Sequence, residues 1–173
     1  MIKYQDAIRI ARSLLGTPYA QLDCINLIKK VIRSAPGGVK SYTTAGTNTL
    51  WKSFCASRKY RDLTWRQEGI GGAKAGMLAF KRKGDDVHHV GLVTEKGTVI
   101  HSSSQNGRGV VETPLSEEEG WSLLGIHRHI GCGGPEENAQ SAEQTCASVV
   151  IVDSAGRQFE PEGDSRVYIG GVD

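Results

Sequence analysis

The order of two apolar patterns along the chain constrains its fold most. Apolar residues recur at helical spacing over residues 3–15 and 23–33, which predicts two helices, the second apolar around much of its girth and therefore central. From residue 77 onwards the pattern changes to short runs typical of strands, separated by turns. The predicted strands cover residues 77–81, 87–94, 98–102, 109–113 and 123–130. Helices followed by antiparallel strands indicate an α+β fold, with the N-terminal helices packed on an antiparallel sheet of about five strands.

The segment between these helices and strands carries a weaker pattern. Residues 48–60 are predicted to form a third helix with Asn48 as its N-cap, and residues 69–76 a glycine-rich loop. The rest of residues 39–75 gives no clear prediction.

Charge and composition divide the chain into three parts. Residues 1–130 hold 19 Lys and Arg against 11 Asp and Glu, a net charge of +8, whereas residues 131–173 hold 2 against 8, a net charge of −6. Because a charge step of this size marks a change of module, we predict a main domain over residues 1–130. Residues 131–146 have the composition of a linker, and residues 147–173 form an acidic tail with a short C-terminal β extension. In this tail, residues 147–152 are expected to pair with residues 166–169 as a hairpin.

Several classes of protein are disfavoured by the sequence. No apolar run approaches the ~20 residues that cross a bilayer, so no membrane partner is expected. Lys and Arg are scattered, with one cluster at residues 81–83 that we interpret as a solvated hairpin tip, so no nucleic-acid partner is expected. The N-terminus has no apolar core of a signal peptide, which indicates either another route of delivery or a leader already removed. Of the four cysteines, Cys132 and Cys146 bracket the linker and either pair or stay as thiols.

The segment before the second helix carries the strongest chemical signal. Cys24 follows Asp23, a good N-cap, so its sulfur lies where the helix dipole stabilises a thiolate. A nucleophilic cysteine needs a base, and that base needs a partner to orient it. His89 and His101 lie on consecutive predicted strands, with Gly91 leaving space for a helix to approach the sheet. A buried cysteine is otherwise a packing residue, and a register shifted by one residue would exchange His88 with His89.

Four segments in this order resemble the NlpC/P60 cysteine peptidases, which have a reduced papain-like fold. The segments are LGTPYAQLDCINLI, GMLAF, HHVGLVTEKGTVIHSSS and, more weakly, WSLLGIHRHI, all within residues 1–130. The resemblance implies Cys24 as nucleophile, His89 as base and His101 as the residue that orients the base, with Tyr19 and Asp23 beside the substrate and the oxyanion. It implies no metal or organic cofactor.

The activity that this resemblance implies is hydrolysis of peptide bonds in bacterial cell-wall stem peptides through a thioester. The expected bond lies between D-glutamate and the following diamino acid, and the expected place of action is the cell wall. Without a recognisable leader, a phage tail or lysis module is the expected means of delivery, with the C-terminal tail as a point of assembly.

Three departures from the family pattern bear mainly on the choice of peptide. Ile25 and Asn26 replace the usual Ser-Gly, residues 20–22 replace a longer loop, and Met77 replaces a common Asp. A CHAP-like amidase or a thiol acyltransferase on the same fold is an alternative activity. A wall-binding module with an inert thiol, or with zinc at Cys24, His89 and His101, is a non-enzymatic alternative. His127 and His129 also have the spacing of a metal-binding pair.

Overall fold

The computed structural model describes residues 1–53, 61–105 and 108–133, and the backbone of residues 151–152 and 158–159. The chain divides into two compact units, Met1–Pro135 and Glu136–Asp173. Cys55 and Cys146, and with them the pairing of Cys132 with Cys146, lie outside the described residues.

Three helices precede the strands, and the first two agree with the predicted ones. They are α1 (Tyr4–Ser13), α2 (Cys24–Ser34) and α3 (Thr47–Lys52). The cap predicted for the third helix is wrong, because α3 begins after Gly46 and Asn48 lies within it. The Asn48 side chain instead donates to Asp86 at 2.6 Å and accepts the N–H of Val87 at 2.9 Å, which ties α3 to the third strand. The predicted continuation over residues 54–60 lies outside the described residues.

The strands of the first unit form one antiparallel sheet of six strands, one more than the sequence predicted. In chain order they are β1 (Leu63–Glu68), β2 (Leu78–Lys83), β3 (Asp86–Val93), β4 (Thr98–Ser103), β5 (Gly109–Pro114) and β6 (Leu123–His127). They lie in the order β1-β6-β2-β3-β4-β5. Among the described strands, the additional strand β1 has β6 as its one neighbour and lies at the edge of the sheet. Its sequence, LTWRQE, lacks the apolar alternation that predicts a strand, since only its first residue is buried.

The pairing of β3 positions the candidate site. Along its β2 side, β3 is paired over its full length, with an irregularity near His88. Along its β4 side the ladder contains only the pairs Gly91–His101, Leu92–Ile100 and Val93–Val99. The first half of β3 therefore has a strand on one side and an open edge on the other.

Apolar side chains cover both faces of this sheet. On one face Val90, Leu92 and Ile100 pack in one cluster with the buried residues of α1 and α2. On the other face Val93 and Val99 pack with Trp121. The helices thus cover one face of β3, while the side chains that alternate with Val90 and Leu92 point to the face that carries Trp121.

The second unit contains one short antiparallel pair, β7 (Ile151–Val152) with β8 (Gln158–Phe159). The strand at residues 151–152 pairs with residues 158–159. Residues 166–169, which the sequence predicts to pair with it, lie outside the described residues. Within the described residues, no helix is long and apolar enough to span a bilayer.

Candidate active site

Asp23 ends the loop before α2 and fixes the first turn of the helix. One of its carboxylate oxygens accepts the backbone N–H of Asn26 at 2.8 Å, and the other accepts the Asn26 side-chain amide at 3.0 Å. Asp23 is therefore the N-cap of α2, and the side chain of Asn26, one of the residues that depart from the family pattern, reinforces the cap. Asp23 is thus a residue that positions Cys24 at the helix start.

The Cys24 thiol lies buried, with 6% of the residue exposed, between the helix and the open edge of β3. The sulfur is hydrogen-bonded by the backbone of Val90 and of Ile25 and by the Thr47 hydroxyl. These contacts lower the pKa of Cys24, but its burial has the larger effect and the net pKa is raised above its ordinary value. Burial therefore favours the neutral thiol and opposes the thiolate expected at the helix terminus, because desolvation outweighs the contribution of the N–H groups.

The two histidines predicted to act together are in direct contact. His89 Nε2 lies 2.8 Å from His101 Nδ1, and the ring centroids are 4.9 Å apart in an edge-to-face arrangement. His101 is buried, and its Nε2 lies 3.2 Å from the Thr113 hydroxyl. Because His101 occupies Nε2 of His89, the free nitrogen of the His89 ring is Nδ1.

The register places His89, and not His88, against His101. His89 lies opposite Lys81 on β2, whereas His88 is the extra residue of the irregularity and is exposed, with its Nδ1 3.4 Å from the Asp86 carbonyl.

Gly91 creates space beside this pair, but for a different neighbour than expected. A Cβ at Gly91 would overlap Val99 and lie 2.9 Å from the His101 Cβ. The expectation that a helix uses this space is wrong, because Gly91 faces β4 on the side of the sheet away from α2.

Val90 connects the thiol to the histidine pair. The backbone of Val93 bonds towards β2, with its N–H donating to Met77, so by the alternation of an antiparallel ladder the Val90 N–H points to the β4 side. The ladder with β4 has ended there, and the Cys24 sulfur takes the N–H instead. Sulfur and imidazole therefore meet β3 at adjacent residues. Within the described residues no hydrogen bond joins the thiol directly to the His89 ring.

Trp121 and Lys81 complete the surroundings of the two imidazoles. The buried Trp121 ring lies 5.7 Å from His89 and 5.1 Å from His101, between centroids, and the Lys81 ammonium lies 4.6 Å from the Trp121 centroid. Burial lowers the pKa of His89 to about 3 and that of His101 to about 4, with the charge of Lys81 adding to both shifts. Both imidazoles are therefore neutral at pH 7.

The interpretation of residues 81–83 as a solvated hairpin tip is wrong for Lys81. Arg82 pairs with Glu68 at 2.7 Å and Lys83 is exposed, but Lys81 is half-buried. It points to the Trp121 face, where burial lowers the pKa of its ammonium.

A pocket of about 140 Å³ opens beside the imidazoles. Its charged and polar lining includes Lys81, His88, Arg108 and Glu119, while Cys24 is not part of it. Tyr19 is half-buried near the thiol. Burial raises the pKa of its hydroxyl, and the negative charges that Cys24 and Asp23 carry when ionised add to this shift.

His127 and His129 lie in a separate cluster. His127 is fully buried, with Nε2 3.0 Å from the Tyr42 hydroxyl, and its Nδ1 accepts the N–H of His129. Both ring nitrogens of His127 are therefore occupied by protein groups. In the part of the chain that is described, no group of three or more His, Cys, Asp or Glu side chains is arranged to hold a metal ion.

Comparison with solved structures identifies the fold. The peptidoglycan hydrolase RipB from Mycobacterium tuberculosis matches with a TM-score of 0.50 and 19% identity, over 70% of this chain and 63% of that chain. The chain has an NlpC/P60-like fold, as the sequence resemblance implied. The NlpC/p60 domain of the peptidoglycan hydrolase SagA also matches, with a TM-score of 0.48 and 20% identity, over 70% of this chain and 97% of that domain. No family model matches the sequence, and no curated protein matches it.

Within this NlpC/P60-like fold, four contacts of the candidate site were missed by sequence reasoning: Thr47, Lys81, Thr113 and Trp121. Thr113 could have been sought, because it lies on the predicted strand that neighbours His101, opposite Val99 and on the same face of the sheet as His101. Thr47 and Trp121 lie in loops or at helix starts, where no periodicity assigns a direction to the side chain.

Proposed function

We propose that this chain is a cysteine endopeptidase that hydrolyses peptide bonds of bacterial cell-wall stem peptides. The observation that carries the proposal is the contact of His89 Nε2 with His101 Nδ1 at 2.8 Å, on the same strand whose Val90 backbone bonds the Cys24 sulfur. This is the order of groups that thiol acyl chemistry requires: nucleophile, base and a residue that orients the base. The neighbouring RipB and SagA structures, both described as peptidoglycan hydrolases, support the choice of substrate.

The neutral thiol and neutral imidazole define how the reaction starts. As the sulfur attacks the scissile carbonyl carbon, its proton passes to His89 Nδ1 and the carbonyl oxygen becomes an oxyanion. The first turn of α2 leaves the Cys24 N–H without an intrahelical acceptor, so this group and the Tyr19 hydroxyl are the proposed donors to the oxyanion.

Collapse of the tetrahedral intermediate breaks the C–N bond. His89 gives its proton to the leaving amine, and a thioester remains on Cys24. Water then attacks the thioester carbonyl, with His89 taking its proton, and the C–S bond breaks to release a carboxylic acid and restore the thiol. His101 keeps the His89 ring in one orientation through both steps, which makes it a positioning residue.

The proposed bond is the one between D-glutamate and the following diamino acid, and the proposed place of action is the cell wall. The association with a phage tail or lysis module, including assembly through the C-terminal tail, remains a prediction from the sequence.

The test is release of new amino termini from purified cell-wall fragments, with product masses determined. We expect cleavage within the stem peptide, abolished by Cys24→Ser and unaffected by Cys132→Ser, which removes a half-buried thiol on the opposite face of the sheet. Undiminished cleavage by the Cys24 variant would refute the assignment. Release of the whole peptide from its sugar would instead identify an amidase on the same site.

A further inference from the structure

The hydroxyl of Thr113 is the last member of a row of hydrogen-bonding groups that begins at His89. His89 Nε2 lies 2.8 Å from His101 Nδ1, and His101 Nε2 lies 3.2 Å from Thr113 Oγ1. Thr113 lies on β5 opposite Val99, which places it diagonally across from His101 on the face of the sheet that carries Trp121. Both ring nitrogens of His101 are thus occupied, one by His89 and the other by Thr113.

Two arrangements of protons fit this row, because both rings are neutral at pH 7. In the first, His89 Nε2–H donates to His101 Nδ1, and the proton of His101 lies on Nε2 and is donated to Thr113. In the second, His101 Nδ1–H donates to His89 Nε2, and the Thr113 hydroxyl donates to His101 Nε2. The proton of His89 then lies on Nδ1. Only the first arrangement leaves a lone pair on His89 Nδ1.

The contacts of the two rings favour the first arrangement. In that arrangement each ring N–H has an acceptor. In the second, the N–H at His89 Nδ1 has no protein acceptor in the part of the chain that the structure describes. Because donors are left unmet in folded proteins more rarely than acceptors, the proton of His101 belongs on Nε2, facing Thr113.

Loss of the Thr113 hydroxyl would reverse this preference. Without it, His101 Nε2–H would be an unmet donor beside the Trp121 ring, whose centroid lies 5.1 Å away, in a residue that is only 3% exposed. His89 is more exposed and lines the pocket beside the imidazoles, so an N–H without a protein acceptor costs less there. His101 would then donate to His89, and His89 would carry its proton on Nδ1.

We propose that Thr113 is a positioning residue of the candidate site, which holds the proton of His101 on Nε2 and thereby keeps Nδ1 of His89 unprotonated. A hydroxyl fixes this tautomer without the negative charge that would favour an imidazolium. The consequence for catalysis rests on the proposed function, in which His89 Nδ1 takes the proton of Cys24. The tautomers themselves follow from the contacts of the two rings.

Long-range proton–nitrogen correlation spectra of the isotope-labelled full chain distinguish protonated from unprotonated ring nitrogens, and they need no substrate. At pH 7 we expect the proton on Nε2 of both His89 and His101 in the unaltered protein, and on Nδ1 of both in Thr113→Val. Thr113→Ser keeps the hydroxyl and should retain the tautomers of the unaltered protein. Thr98→Val is the matched control, because it removes a hydroxyl that bonds Glu112 on the opposite face of the same two strands, and it should leave both tautomers unchanged.

Rates of cleavage of soluble stem peptides connect the tautomer to catalysis. We expect Thr113→Val to lower kcat by about tenfold with KM nearly unchanged, the scale of losing one hydrogen bond between neutral groups. Thr113→Ser should recover most of this loss, and Thr98→Val should retain the kcat of the unaltered protein.

Two results overturn the proposal while the hydrolase assignment stands: His101 protonated on Nδ1 in the unaltered protein, or unchanged tautomers in Thr113→Val. A lower kcat in Thr113→Val with unchanged tautomers would assign Thr113 to packing alone. If no peptide is cleaved, the proposed function fails for those substrates, and the spectra still decide whether Thr113 sets the tautomers. If Thr113→Val does not fold, Thr113→Ala, which removes the hydroxyl without adding a methyl group, replaces it in both measurements.

Discussion

His101 lies directly opposite Gly91 across the β3–β4 ladder, on the side of the sheet that carries the His89 ring. The pair is the last one before the two strands separate. The absence of a side chain at Gly91 is what allows the His101 ring to reach His89, because a Cβ at that position would overlap Val99 and crowd the His101 Cβ.

Gly91→Ala should therefore disturb the candidate site together with the core around Val99. We expect the added methyl group to displace His101 from His89 and to lower kcat by about 10²-fold, the scale of losing the positioning of a catalytic base. Gly71→Ala is the control, since a Cβ there meets nothing within 4 Å. Initial rates on cell-wall fragments, together with the thermal midpoint of each variant, separate the two effects. A variant with full activity would show that the His89–His101 contact is dispensable.

The role of His101 can be distinguished from packing by two substitutions. His101→Phe keeps an aromatic ring beside Trp121 but cannot hydrogen-bond Nε2 of His89, and we expect kcat to fall by about 10²-fold or more with little change in KM. His101→Gln retains a polar partner and should recover part of that loss. His88→Gln, on the exposed residue next to His89, should leave the rate unchanged. Equal activity of the Phe and Gln variants would assign His101 to the core alone.

The pH dependence of the reaction should follow the neutral thiol and imidazole. His89 has a pKa lowered to about 3 and His101 to about 4, so both remain neutral well below the range in which an ordinary histidine is protonated. We expect kcat/KM to be retained down to about pH 5 and to fall only as pH approaches the lowered values. A loss of activity centred between pH 6 and 7 would contradict this prediction.

Alkylation of Cys24 should be slow at neutral pH. Burial raises the pKa of this thiol above its ordinary value, so most of it is protonated at pH 7, whereas the thiolate is the reactive form. The rate of iodoacetamide modification, followed by mass spectrometry of the peptide that contains Cys24, should rise steadily as pH increases to 9 and beyond. A rate that is already maximal at pH 7 would indicate a thiolate in the resting protein.

Acid should destabilise the fold through the same histidines and through His127. All three have folded-state pKa values below 6.5, so between those values and 6.5 the unfolded chain binds more protons than the folded one. The free energy of unfolding is therefore highest above pH 6.5 and falls as pH decreases towards 4, by up to about 1.4 kcal/mol per pH unit for each such histidine. Urea unfolding at pH 7 and pH 5 measures this difference. His127→Gln should reduce this difference in stability, and His88→Gln should not. Equal urea midpoints at pH 7 and pH 5 would contradict the role of the buried histidines.

The sequence was sufficient for the elements that are periodic and for the residues that lie on them. The apolar spacing of α1 and α2, the alternation along β3 and β4, and the cap at Asp23 all follow local rules, so the Cys24 turn and the facing histidines could be predicted. Strand β1 could not, because an edge strand with few buried residues lacks the alternation that identifies a strand. Lys81 was misassigned because three cations in a row resemble a solvated turn, whereas the ladder directs one of them onto Trp121.

The protonation of the thiol could not be predicted from the sequence either. The helix start favours a thiolate, but the burial of the sulfur decides between thiol and thiolate. This burial depends on how closely α3 and β3 cover the sulfur. Thr47, which contacts that sulfur, is separated from it by 23 residues, and no local pattern connects the two.

Because the β3–β4 ladder ends early, Cys24 also has a structural role. Its sulfur supplies the acceptor that a continued strand would have supplied to the Val90 N–H, so replacing it with alanine leaves a buried donor unsatisfied, at a cost of about 1–3 kcal/mol. Serine retains an acceptor at that point and is the preferable inactive form for trapping a bound peptide. The proposed nucleophile thus also connects the helix to the sheet, so an alanine substitution at Cys24 would combine a loss of catalysis with a loss of stability.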